Sequence, residues 1–484
     1  MKTIGPIIEN TESFLISEIF NQKENSITYI GKDEREIINI KKKLKWLLPK
    51  QKILLFKAWD QIPYDNISPS KEVQTSRLET LYYLNTKTDE KIIILTTINA
   101  IIQKIIPKHE LKKNYIKISK SSKLKIDELL SLLIKLGYER VSIVRDKSEF
   151  AVRGSIIDIF LPQLKNPIRI DLFDNDIESI FEFDVITQTR ISKSNLNNLS
   201  INASTELIID TEHLEKFRSN FREKFQDYRK SQVYNLFSEG IIPSGGEQYL
   251  PLFNKKLDTL FDYLKQNIFI VNNDINELFE ERIENLYDYY NARIDSNDSF
   301  YLDPSFLFID KKNFNKAIDN FELIKLSPFY NEGFTKTNLK KINNLSSIRK
   351  EIDFDFIKKF FEINSKQNKI IICCNSKGSL EKVFKILSEN IFISPIEIEN
   401  YNYLSDEKLF ITVLKIEESF QLHNTIYINE KAIFGYSLAV KFSQKKQKKK
   451  FLFEELNKLS HGSLLVHSDY GICRFNNIKK INLD

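Results

Sequence analysis

The chain of 484 residues has few of the side chains that form disulfides and metal sites. It contains three cysteines, Cys373, Cys374 and Cys473, and five histidines. Neither the cysteines nor the histidines have the spacing of a disulfide framework or of a metal-binding motif. Because Cys373 and Cys374 directly follow three isoleucines, we interpret them as small apolar residues of a buried strand.

Long apolar runs are also missing. No run of apolar residues reaches the length of about 18 that is typical of a transmembrane helix. Residues 1–14, MKTIGPIIENTESF, bring in acidic and polar side chains before an apolar run can form, unlike a signal peptide. We therefore expect a cytoplasmic protein without a membrane partner.

The sequence lacks the glycine-rich loop that binds nucleotide phosphates. That loop, G-x-x-x-x-G-K-[ST], surrounds the phosphates with backbone N–H groups and adds a lysine. The pattern occurs nowhere in the chain, and glycine is scarce, with only 12 residues. We therefore expect no nucleotide, no other cofactor and no metal to be bound by this chain.

The residues that are present indicate a globular protein with several domains. A chain of 484 residues is too long for one hydrophobic core, and 42% hydrophobic with 29% charged residues is ordinary for a folded protein. The net charge of +6, from 72 basic and 66 acidic residues, is small. A charge of this size does not require a nucleic-acid partner.

Helix and strand patterns alternate in two parts of the chain, which predicts parallel sheets. The first part includes the apolar strands SITYIG (26–31) and KIIILTT (91–97), with Asp33 placed to cap a helix. The second begins near residue 350 and includes the strand KIIICC. Residues 441–450, KFSQKKQKKK, carry six lysines and fit a self-repelling linker, with incidental attraction to phosphates as the alternative.

Between these parts, residues 137–183 have the period-two pattern of successive strands. In IRIDLF (168–173), three apolar residues alternate with Arg169, Asp171 and Phe173. Arg153, in an earlier strand, reaches the same face if the strands pair. Arginine and aromatic side chains on an exposed sheet face are typical of interaction hot spots. The alternative is that Phe173 lies under a neighbouring domain and the arginines are solvated.

Five segments, in this order, resemble the bacterial transcription-repair coupling factor family: AWDQIPYDNISPSKEVQTSRLETLYYL, GYERVSIVRDKSEFAVRGSIIDIFLP, PIRIDLFDNDIESIFEFD, GIIPSGGEQYLPLF and LLVHSDYGICRF. The resemblance covers essentially the whole chain. It corresponds to the N-terminal part of a longer protein and ends inside its RNA-polymerase-interacting module. The excinuclease subunit UvrB shares the second and third segments, whereas WDQIPYD and VHSDYGICRF distinguish the coupling factors from it.

The resemblance implies a multidomain α/β fold. It would contain a degenerate helicase-like parallel-sheet domain with an inserted α+β sheet domain, a second small α/β domain and the start of a small β-barrel. The expected boundaries in chain order are 1–114 for the first part of the helicase-like domain, 115–200 for a UvrA-binding sheet domain, 201–330 for the remainder of the helicase-like domain, 331–438 for a small α/β domain of unknown role, 439–456 for a Lys-rich linker, and 457–484 for a truncated CarD-like domain that interacts with RNA polymerase.

The resemblance also implies an adaptor role. The chain would recruit UvrA, the damage-recognition subunit of nucleotide excision repair, to RNA polymerase stalled at DNA damage. The family's contacts to UvrA correspond here to Arg153, Arg169 and Phe173. The motor that uses ATP and Mg, moves on double-stranded DNA and displaces the polymerase would lie beyond Asp484. This chain would therefore carry no catalytic residue.

Two other functional classes remain open. One is an ATP-hydrolysing, UvrB-like excinuclease subunit or helicase, which the missing phosphate loop disfavours. The other is a general DNA-binding fragment, which would be retained on DNA with a steep dependence on salt. The small net charge argues against that second class.

The missing phosphate loop generates a first prediction. The purified chain should release no phosphate from ATP above background, with or without DNA, because no backbone loop holds the nucleotide phosphates. Phosphate release can be measured beside a helicase that has an intact loop. Turnover by the chain itself would contradict the adaptor interpretation.

Overall fold

The computed structural model describes residues 2–86, 90–120, 122–191, 195–295, 300–343, 345, 352–434, 464–467 and 471–474. Its helices are, in chain order, α1 Glu12–Gln22, α2 Glu34–Leu47, α3 Lys71–Thr86, α4 Ile98–Ile101, α5 Lys108–Lys113, α6 Ile126–Lys135, α7 Thr211–Lys224, α8 Gln232–Ser238, α9 Leu250–Phe253, α10 Leu260–Tyr263, α11 Ile275–Asp295, α12 Lys311–Ile318, α13 Phe354–Asn364, α14 Lys377–Ile391 and α15 Glu430–Phe434.

The strands are β1 Lys2–Gly5, β2 Ser26–Gly31, β3 Ile53–Phe56, β4 Ile93–Thr97, β5 Tyr115–Ser119, β6 Glu139–Arg140, β7 Glu149–Arg153, β8 Ile156–Ile159, β9 Ile168–Phe173, β10 Asp176–Glu182, β11 Asn198–Asn202, β12 Asn267–Asn272, β13 Glu322–Leu326, β14 Thr335–Lys336, β15 Leu339–Lys341, β16 Lys369–Cys374, β17 Ile396–Glu397, β18 Leu409–Val413, β19 Phe420–Leu422, β20 Thr425–Asn429, β21 Leu464–His467 and β22 Gly471–Arg474. The chain forms two compact units, Met1–Lys340 with Asn400–Leu404, and Lys341–Glu399 with Ser405–Asp484.

The first unit is built on a seven-stranded sheet in the order β14-β1-β13-β12-β2-β4-β3, with every pair parallel. Its central strands are almost wholly apolar because helices cover both faces, as parallel sheets require. Asp33 caps α2 by accepting a hydrogen bond from the N–H of Glu36, as predicted. The sheet confirms the α/β class with a large parallel-sheet domain.

The α+β part that the sequence predicted as an insertion lies between α5 and α7. It holds α6, a five-stranded sheet in the order β10-β9-β8-β7-β6, and the antiparallel pair β11-β5. Gly137 follows α6 with a φ of +85°, and a Cβ there would lie 2.6 Å from Cγ2 of Thr205. Glycine is therefore needed at this turn for both its backbone conformation and its lack of a side chain.

A buried ion pair connects the insertion to the parallel-sheet domain. Arg77, on α3, donates from Nε and Nη2 to the carboxylate of Glu206, and its Nη1 donates to the carbonyl of Lys57 at 2.8 Å. The guanidinium also stacks 4.4 Å from the ring centroid of Phe56. Both charged side chains are buried. Two buried ions remain stable only because they satisfy each other's charge and hydrogen bonds.

The second unit contains a six-stranded sheet in the order β15-β19-β20-β16-β18-β17. Cys373 and Cys374 lie buried on its central strand β16, which confirms their interpretation as apolar strand residues. Ser376 caps α14, directly after β16, in a capping box with Ser379. The α/β architecture of this unit agrees with the second small α/β domain expected in the fold.

The last part of the chain is described only in two short strands. β21 and β22 pair antiparallel, in agreement with the two strands predicted there, and no barrel closes among the described residues. The predicted Lys-rich linker, 439–456, lies outside the described residues. The finer domain boundaries stay predictions. Within the described ranges, no helix combines the length and the apolar character needed to cross a membrane.

The ion pair generates a stability prediction. Glu206→Gln should lower the free energy of unfolding by about 3–5 kcal/mol, since it leaves the buried guanidinium of Arg77 without a counter-charge. Unfolding in urea measures this change. Glu128→Gln, which removes an exposed pair with Lys125, is the control and should leave the midpoint unchanged. Equal midpoints for the two variants would contradict this account of the ion pair.

Candidate interaction site on the inserted sheet

The alternation of β9 separates a core face from an outer face. Its three apolar residues are buried, whereas Phe173 is 75% exposed. Phe173 is the last residue of β9, and Asp174 turns the chain into β10 with a φ of +56°. Truncating Phe173 would therefore remove few contacts within the fold. The exposure of Phe173 favours the hypothesis that it belongs to an interaction surface. It disfavours the alternative that Phe173 is buried beneath another domain of the described chain.

Strand register brings the predicted arginine of β7 onto the same outer face. Arg153 pairs with Ile156 of β8, and Ile156 pairs with Asp171 of β9. Laterally paired residues point to the same side of a sheet, so Arg153 shares the face of Asp171. Since Arg169 and Phe173 alternate with the core residues of β9, all three predicted residues lie on one face.

One buried carboxylate holds both arginines. Asp158, on β8, accepts from Nε of Arg169 at 2.7 Å and from its Nη2 at 2.9 Å, which is a forked pair. It also accepts from Nη2 of Arg153 at 2.6 Å. The side chain of Arg153 is 43% exposed and that of Arg169 only 15%. Arg153 is therefore the more available of the two for an outside partner.

Arg169 is fixed further by its surroundings. Its guanidinium lies 4.6 Å from the ring centroid of Phe183, and its Nη1 donates to the carbonyl of Gln188 at 3.4 Å. The hydrogen bonds to Asp158 raise the pKa of Arg169 above its usual value. The side chain is thus a rigid, permanently charged part of the face.

Sequence reasoning missed two residues of this site. Asp158 was not singled out, although it alternates with two buried isoleucines in β8. Ile186 is almost fully exposed on the loop that Gln188 ties to Arg169. Asp184 holds this loop by accepting hydrogen bonds from the N–H groups of Ile186 and Thr187 at 3.0 and 2.8 Å, and the bonds from Thr187 lower the pKa of Asp184. The spacing of aspartate and threonine was an available turn signal.

A second place to consider is the crevice at the carboxyl ends of β2 and β12, where α/β folds bind nucleotides. It has a volume of about 680 Å³. In it, Glu36 accepts from the N–H of Lys32 at 2.7 Å and from the hydroxyl of Tyr29. The carboxylate of Glu36 thus already accepts the hydrogen bond of the first backbone N–H after β2, that of Lys32. The lining of the crevice contains two basic residues, Lys32 and Arg35, and six acidic ones, which are Glu9, Glu12, Asp33, Glu36, Asp274 and Glu277.

Comparison with known proteins shows that the inserted part of the chain is similar to a known domain family. Residues 116–206 match the family described as the UvrB interaction domain. The chain is 30% identical to the transcription-repair-coupling factor of Rickettsia bellii over 477 residues, which are 97% of this chain and 42% of that protein. The factors of Haemophilus influenzae and Escherichia coli are 28% and 26% identical, each over 98% of this chain and 42% of the relative. The chain thus spans less than half the length of these relatives, and the matches confirm the resemblance inferred from its motifs.

The shared carboxylate generates a prediction for this site. Asp158→Asn should lower the free energy of unfolding by about 1–3 kcal/mol, because it removes the charge that pairs with Arg153 and Arg169. Thermal unfolding measures the change. Asp174→Asn, in the exposed turn after β9, is the matched control, since asparagine accepts a positive φ. Equal melting temperatures of the Asp158 and Asp174 variants would show that Asp158 does not hold the arginines.

Proposed function

We propose, from its similarity to transcription-repair-coupling factors, that this chain is the adaptor part of such a factor. It binds UvrA through the outer face of the inserted sheet and brings nucleotide excision repair to RNA polymerase stalled at DNA damage. The observation that carries the proposal is the exposed Phe173 on the same sheet face as two anchored arginines, within the residues that match the UvrB interaction domain.

The composition of this face supports binding to a protein. Phe173 offers a large apolar surface that loses its water on contact, and a side chain of this kind commonly dominates an interface. Asp158 holds both guanidinium groups before a partner arrives, so little side-chain freedom is lost on binding. Arg153 contacts the partner directly, and Arg169 mainly positions the neighbouring groups.

The crevice beside β2 supports an adaptor rather than an ATPase. An incoming phosphate would have to displace Glu36 from the Lys32 N–H and would meet six acidic residues against two basic ones, Lys32 and Arg35. Like charges in a crevice disfavour an anionic ligand. In our proposal, ATP and Mg serve the part of the factor that this chain does not span, as do translocation on double-stranded DNA and displacement of the polymerase. The UvrB-like excinuclease and the DNA-binding fragment remain the alternatives.

The proposed site generates a binding prediction. Phe173→Ala should weaken binding to UvrA by roughly thirtyfold, which corresponds to about 2 kcal/mol for an anchor at the centre of an interface. The stability of the chain should change by no more than about 0.5 kcal/mol, since the side chain is exposed. Titration against purified UvrA, with melting temperature measured in parallel, tests both expectations.

Phe329→Ala is the matched control, because Phe329 is 72% exposed in the same unit but lies outside the inserted sheet. It should leave UvrA binding unchanged. Arg153→Lys should also weaken binding, because lysine lacks the planar fork of donors. Wild-type affinity of the Phe173 variant would refute the site, and unfolding of that variant would make Phe173 a residue of the core.

A further inference from the structure

A small cavity in the first unit is lined in part by two motifs that the interaction site does not use. Trp59, Gln61 and Tyr64 come from the WDQIPYD motif, and Gln248 comes from the SGGEQY segment. The cavity has a volume of about 20 Å³. Its remaining lining residues are Ala58, Pro63, Asn99, Gln103, Arg282, Leu307 and Phe308.

Four of the lining side chains carry a buried polar atom without a hydrogen-bond partner in the described structure. These atoms are Oε1 of Gln61, Nε2 of Gln103, Oε1 of Gln248 and Nε of Arg282. Gln103 and Gln248 are buried, with 2% and 7% of their surfaces exposed. Buried polar groups in folded proteins almost always have a partner, so four such atoms around one cavity indicate a bound molecule.

The hydrogen-bonding capacity of the four atoms identifies the molecule. Nε2 of Gln103 and Nε of Arg282 are donors, and the two Oε1 atoms are acceptors. A ligand that satisfies them must therefore accept two hydrogen bonds and donate two. Water does both, and a cavity of about 10–15 Å³ or more suffices to hold one.

We propose that this cavity binds one ordered water molecule, which bridges the side chains of Gln61, Gln103, Gln248 and Arg282. Trp59, Tyr64 and Phe308 supply the apolar part of the lining. The water joins four separate segments of the chain: the WDQIPYD loop, the residues that follow α4, the turn that precedes α9, and α11.

The same loops also have direct contacts, which the water supplements. Oγ of Ser68 donates to Glu247 at 2.8 Å and accepts from the N–H of Gly245 at 3.0 Å. A Cβ at Gly245 would lie 2.7 Å from the carbonyl oxygen of Asp65, so the two motifs are in close backbone contact. The bridging water adds hydrogen bonds between the same two motifs on the side that lines the cavity.

A high-resolution crystal structure of the chain tests the proposal directly. We expect one water in the cavity within hydrogen-bonding distance of at least three of the four side chains. The proposal is wrong if the cavity is empty, if the four side chains pair directly with one another, or if another molecule fills it.

A double-mutant cycle provides a second test in solution. Gln103→Leu and Gln248→Leu should each lower the melting temperature by about 2 °C or more. The decrease in melting temperature of the double variant should be smaller than the sum of the two single decreases, because both side chains act through one water. Gln163→Leu is the matched control, since Oε1 of Gln163 also has no partner in the described structure but lies outside the cavity, and it should show no coupling to Gln248→Leu. Additive losses for the Gln103 and Gln248 variants would overturn the proposal.

Discussion

The pairing of Arg77 with Glu206 is the constraint on which the arrangement of the first unit depends. The arginine belongs to a helix of the parallel-sheet domain, and the glutamate lies where the chain returns from the inserted sheet. Neither charge reaches solvent, so each would be strongly destabilising without the other. The insertion therefore has one favourable position against α3. A sheet face that is to present Phe173 and Arg153 in a fixed direction needs an attachment of this kind.

The same principle recurs on a smaller scale at Asp158, where one buried carboxylate pairs with two arginines. The two sites differ in exposure, because the side chain of Arg153 is 43% exposed whereas that of Arg77 is fully buried. The buried pair of Arg77 and Glu206 stabilises the position of the insertion. The half-exposed pair of Arg153 and Asp158 orients a side chain that remains accessible to a binding partner. The interaction face thus has its charges ordered before binding.

Local patterns in the sequence were sufficient to predict several of the strands and helices and the outward side of β9. The alternation of IRIDLF predicted the buried and exposed sides of β9, and three isoleucines before Cys373 predicted a buried strand. Asp158 could not be found in this way, because its role depends on the register between β7, β8 and β9. Glu36 was missed for a related reason. The sequence shows that a phosphate loop is absent, but it does not show that the carboxylate of Glu36 accepts a hydrogen bond from the N–H of Lys32. The water-sized cavity depends on four segments that are distant in the chain, which no local pattern reveals.

The strand order of the large sheet has a consequence for how the protein is made. β1 lies between β13 and β14, so that Lys2 is paired with Ile324 and Ile4 with Thr335. On a ribosome that adds about 5–20 residues per second, the first strand waits roughly 15–65 s before its neighbours are synthesised. During that interval its hydrogen-bonding edges stay unpaired, and contacts between such distant residues form slowly. The seven-stranded sheet is therefore completed only after the inserted domain has had time to fold, since β1 and β14 can join it only once β13 has been made.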